Sequence, residues 1–142
     1  MKPAPLLRAD SARTQLMRRD TAEILTRLFY LERSLIISQA GWLPAVARID
    51  VKAALARLLW EDAVAADGLR TRVFELRYPS RVITPDQHQR AIGLFDAVRD
   101  APSQEAFLLG LARVLLPALG TAYAAYQQLS DRLSDGPSAL LL

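Results

Sequence analysis

The chain has 142 residues, a net charge of +3, one histidine and no cysteine. That length suits one domain with a real core, and 51% apolar against 23% charged residues is the balance of a folded protein. Without thiols there are no disulfides, thiolate zinc sites or cysteine nucleophiles, and a lone His88 rules out a His-rich metal site. The charge comes from 16 arginines and 2 lysines against 15 acids, with no stripe of cations interleaved with aromatics, so no nucleic-acid partner is expected. No Walker loop, dinucleotide fingerprint, nucleophile elbow or zinc-protease motif occurs. The first residues lack the apolar run of a secretory signal, and a cytoplasmic protein is expected.

Residues 1–19 carry Lys2, Arg8, Arg13, Arg18 and Arg19 with two prolines and little periodicity, which reads as a basic, partly ordered arm. A single helical domain is expected over 20–142. The first helix is expected over about 20–40, with Asp20 capping its start, Glu23 in capping-box spacing and Gly41 ending it. Leu25, Leu28, Phe29, Leu35 and Ile36 form its apolar face, and Glu32 lies at the centre of that face. Trp42 and Leu43 then read as a plug over the end of the bundle.

A second helix is expected over about 49–77, ending before Tyr78-Pro79 because the residue before a proline resists the α conformation. Leu55, Leu58, Leu59, Ala66, Leu69, Val73 and Leu76 all fall within about 60° of Asp62 on its wheel. A second acid thus sits inside an apolar stripe, where a charge is costly unless something pairs with it. The short connection makes the two helices antiparallel neighbours, with Glu32 and Asp62 at similar depths on facing stripes. Arginines or tyrosines holding the two acids, or a proton shared between them, would each make that burial tolerable.

The third helix, about 85–99, starts with Thr84 as cap and Pro85 in the first turn, and turns Ala91, Ile92, Phe95 and Val98 inward. The fourth runs over about 103–133. From Ala106 to Tyr126 its only charge is Arg113, which raises the question of a membrane span. Arg113 in mid-segment with Gly110, Pro117 and Gly120 favours a central helix buried on several sides and kinked at Pro117, with no membrane partner. Tyr123 and Tyr126 offer hydroxyls to a polar core. Leu140, Leu141 and Leu142 need a surface to cover them, so a homodimer or a protein partner is expected through helix four and these leucines.

Tyr30-Leu31-Glu32, Trp42-Leu43-Pro44, Lys52, Leu59-Trp60-Glu61-Asp62-Ala63, Ala66-Asp67, Arg70-x-Arg72 and Glu75-Leu76-Arg77 together resemble an uncharacterised bacterial branch of the ferritin-like superfamily. The likeness continues from Phe107 to Tyr126 and at Asp135-Gly136-Pro137. It implies an all-α, ferritin-like bundle of four main antiparallel helices. It also implies that Glu32 and Asp62, or Glu61, are metal ligands for iron or manganese. Ala65 stands where the pattern has a histidine, and helix four has no inward Glu-x-x-His, so the likeness is to a shortened form with a decayed site. The expected function is non-catalytic: self-association or partner binding, with no cofactor. The alternative is an iron- or manganese-dependent oxidoreductase that uses Glu32 and Asp62, with Glu61 or His88 as a further ligand.

Overall fold

The computed structural model describes residues 18–76 and 89–130, and among these it is an all-α helical bundle. Helix α1 spans Arg18–Trp42 and leads through a 3-10 turn, Leu43–Ala45, into α2, Ile49–Glu75. Helix α3 spans Gln89–Arg99 and α4 spans Gln104–Leu129. The expected caps of the third helix, Thr84 and Pro85, lie outside the described residues, as do His88, the basic arm up to residue 17 and the terminal leucines.

Helix α1 is the element that α2, α3 and α4 all pack against. Its buried positions are Thr21, Ala22, Leu25, Leu28, Glu32, Leu35, Ser38 and Gln39, the three- and four-residue spacing of one helix face. Asp20 lies inside the first turn and not at the cap, and the helix continues through Gly41 to Trp42. Glycine in a helix costs only about 1 kcal/mol, less than tertiary packing returns. Helix α2 buries Leu55, Asp62, Ala66, Leu69 and Val73 against α1, and its outer side is a solvated face with Arg57–Glu61 and Asp67–Arg70 pairs. Such exposed pairs contribute well under about 1 kcal/mol each, so the apolar stripe holds α2 in place.

One end of the bundle is closed by Trp42. Its ring stacks on Phe107 with centroids 5.2 Å apart and planes 11° from parallel, and its indole N–H donates to the Arg99 carbonyl at 2.7 Å. Nearby, the Ala47 N–H donates to Gln104 Oε1 at 3.0 Å and Lys52 Nζ to the Pro44 carbonyl at 3.3 Å. The first of these ties the α1–α2 link to the start of α4, and the second ties it to α2. Ser103 caps α4 by accepting from the Ala106 N–H at 3.2 Å. Where α3 crosses α4, a Cβ on Gly110 would stand 2.9 Å from Val98 Cγ1, so the missing side chain is what permits the approach.

Helix α4 departs from expectation twice. Instead of a plain proline kink it carries a π-helical turn, Leu111–Leu115, between α-helical segments. Pro117 has no N–H for the carbonyl four residues back, and its ring crowds that carbonyl; the wider turn sits where this conflict falls. The helix is also not buried on several sides. Phe107, Leu111, Leu115, Leu119 and Tyr126 face the core, and Leu109, Ala112, Arg113, Val114, Pro117, Gly120, Thr121 and Ala124 face outward.

Candidate functional site

Three helices bring one polar cluster into the core. Glu32 and Gln39 are on the same face of α1, two turns apart, Asp62 comes from the middle of α2, and Tyr123 from the second half of α4. Glu32 retains 2% of its exposure and Asp62 9%. The Tyr123 hydroxyl donates to Glu32 Oε1, and Gln39 Nε2 donates to Asp62 Oδ2 at 2.6 Å. Two acceptors, Glu32 Oε2 and Gln39 Oε1, are buried without a hydrogen-bond partner.

The electrostatics follow from that enclosure. Burial pushes the Glu32 carboxyl up to about 7, against the Tyr123 hydrogen bond that favours its charged form, and the neighbouring charge of Asp62 pushes the same way as burial. Asp62 is raised too, first by burial, with the Gln39 amide opposing and the Glu61 charge adding to it. The Tyr123 phenol is held well above its usual range by burial and by its bond to Glu32, so it remains a donor. Near neutrality Glu32 is thus divided between a carboxylate and a carboxylic acid, and only the acid adds a donor to a cluster otherwise rich in acceptors.

Of the residues singled out in the sequence, Glu32 and Asp62 do come together. Glu61 does not join them: the next residue along a helix is rotated by about 100°. It is exposed and accepts from Arg57 Nε at 3.0 Å. Trp60, next to Glu61 in the same segment, is 68% exposed. Ala65 offers no ligand. No group of three or more His, Asp or Glu side chains converges among the described residues. Of the two kinds of partner expected for the acids, the tyrosine is present at Glu32. Arg27, Arg48, Arg57, Arg70 and Arg99 pair with surface acids instead. The partner of Asp62 is Gln39, a residue not singled out in the sequence. Its spacing of seven residues from Glu32 was the available signal, since that repeat returns to the same face.

The cluster's donor set is all oxygen apart from the Gln39 amide nitrogen, and its open acceptors suit a proton or a hard cation more than a soft metal. The fold and site thus define an all-α bundle with a buried carboxyl pair bridged to its neighbours by a tyrosine and a glutamine. No family model, curated protein or solved structure matches the chain.

Proposed function

We propose that this is a non-catalytic, ferritin-like helical protein that acts by self-association or protein partner binding, with Glu32 and Asp62 as the remnant of a carboxylate metal site. The observation that carries the proposal is the outer face of α4. This 26-residue helix is long and apolar enough to cross a bilayer by length and composition, yet 22% of its apolar stretch is buried. A contiguous apolar face of that kind on a folded domain marks a contact surface. The polar cluster supports a structural role for the acids, because each has a fixed hydrogen-bond partner.

The test is sedimentation equilibrium of the full chain beside a Leu109→Glu, Ala124→Glu variant. Both positions are exposed, so the variant keeps its helical circular dichroism. Association of the native chain and its loss in the variant are expected. A native chain that stays monomeric at every concentration and binds no protein would sink the proposal.

A second reading, an iron- or manganese-dependent oxidoreductase, is favoured by the two buried acceptors without partners, Glu32 Oε2 and Gln39 Oε1, which a cation would satisfy. Glu32 and Asp62 would be its ligands, and the metal would supply redox or Lewis-acid chemistry. Elemental analysis of protein purified without chelator decides this reading. Near-stoichiometric iron or manganese, lost in Glu32→Ala, would favour it over the first reading, and a clean absence would sink it.

A further inference from the structure

We infer that a second copy of this chain docks on the N-terminal half of α4, antiparallel to it, with the two-fold axis passing beside Leu109. The inference rests on the reading of the α4 outer face as a contact surface, and it names the occupant and the register.

Three observations carry it. Leu109 is 63% exposed, the most exposed large apolar side chain of the helix. The only two charges on α4, Glu105 and Arg113, are both exposed, and neither is in an ion pair among the described residues. Finally, these charges are evenly spaced in sequence about Leu109, Glu105 four residues before it and Arg113 four after, with Ala106 three before and Ala112 three after; Ala112 and Arg113 lie in the first part of the π turn and are exposed as Leu109 is.

In an antiparallel helix pair with its two-fold axis at Leu109, residues equally far before and after that point face each other across the contact. Each Glu105 then meets the Arg113 of the other copy, each Ala106 meets an Ala112, and the two Leu109 side chains meet on the axis. An isologous contact requires this kind of self-complementary patch. The alanines let the helices approach, the leucines supply an apolar centre, and the two ion pairs form a polar rim that also fixes the direction of pairing. The same face does not suit a parallel copy, which would align Glu105 with Glu105 and Arg113 with Arg113. Helix α3 does not cover it either, because α3 approaches at Gly110, on another side of α4. A helix pair of this length is small beside the roughly 1,600 Å² of stable complexes, so the dimer is weak, and its rim pairs make it salt-sensitive.

The chain has no cysteine, so single-cysteine variants of the full chain report proximity without background. Mild oxidation of Leu109→Cys is expected to give a disulfide-linked dimer, and Thr121→Cys, further along the exposed face, to give none. In sedimentation at low salt, Arg113→Glu alone is expected to weaken the dimer by about tenfold, and Glu105→Arg together with Arg113→Glu to restore it. A dimer that cross-links through Thr121→Cys and not Leu109→Cys, or that ignores both charge changes, overturns this pairing while leaving self-association standing. A chain that is monomeric throughout and instead floats with phosphatidylcholine vesicles overturns the second copy as the occupant and assigns the face to a bilayer.

Discussion

Glu32 is the residue on which the chemistry of the core turns, because it is a carboxyl with one donor, one unpartnered oxygen and almost no access to water. Its ordinary value of 4.5 is pushed up to about 7, so between those values the folded chain holds a proton that the unfolded chain has lost. Stability from this group is fully present below about 4.5 and is lost as the pH rises through about 7. The loss across that window is on the order of 3 kcal/mol as an upper bound, from about 1.4 kcal/mol per tenfold change in proton affinity. Glu32→Gln keeps an acceptor for the Tyr123 hydroxyl and removes the titration. Its urea midpoint is expected to fall less from pH 5 to 8 than that of the native chain, with any remaining fall belonging to Asp62, and equal slopes in the two would refute the assignment. Tyr123→Phe removes the one donor to Glu32 and is expected to cost about 1–3 kcal/mol in the same measurement, most at the alkaline end, where the carboxylate is left alone.

At the scale of the element, α4 holds its place through two local departures from a regular helix. In an unbroken α-helix Phe107 and Tyr123 would point about 160° apart, so both could not face α1. The π turn Leu111–Leu115 adds in effect one residue and brings the later half back by about 100°, which lets Phe107 lie under Trp42 while Tyr123 reaches Glu32. Gly110 is the second departure. Alanine there would gain about 1 kcal/mol of helix propensity, but its methyl would meet both methyls of Val98 at 2.9 and 3.0 Å. Val98 is buried and β-branched, so those methyls cannot swing aside, and overpacking of about 1–3 kcal/mol outweighs the gain. Thermal melts should place Gly110→Ala below the native chain and the Gly110→Ala, Val98→Ala double variant above the single one. A single variant more stable than native would mean that α3 and α4 separate freely.

For the whole molecule, the stripes that define α1 and α2 were legible because burial follows the 3.6-residue repeat, and Leu25, Leu28, Leu35, Leu55, Leu69 and Val73 are all in the core. The same repeat aimed Glu32 and Asp62 inward. Their partners were legible only in kind: a tyrosine was expected and Gln39 shares the face of Glu32, but which acid each one meets is set by helix-to-helix packing that no local pattern encodes. The exposure of α4 was misread for a related reason. Hydropathy reports that a segment needs cover but not what supplies it, and within the described residues α1 and α3 cover one side of α4.

That uncovered side gives a prediction about the molecule as a unit. If a second copy covers it, folding and association are linked, and the melting temperature must depend on protein concentration. A tenfold rise in concentration near the dissociation constant is worth about 0.7 kcal/mol per chain, which corresponds to about 2–4 °C for a domain of this size. The native chain is expected to show that rise in low salt and to lose most of it in high salt, where the Glu105 and Arg113 pairs are screened. In Leu109→Glu the melting temperature should be independent of concentration, because the like charges meeting at the two-fold axis abolish the contact. A concentration-independent melt in the native chain would instead mean that the folded unit is one chain, with the outer face of α4 contributing nothing to its stability.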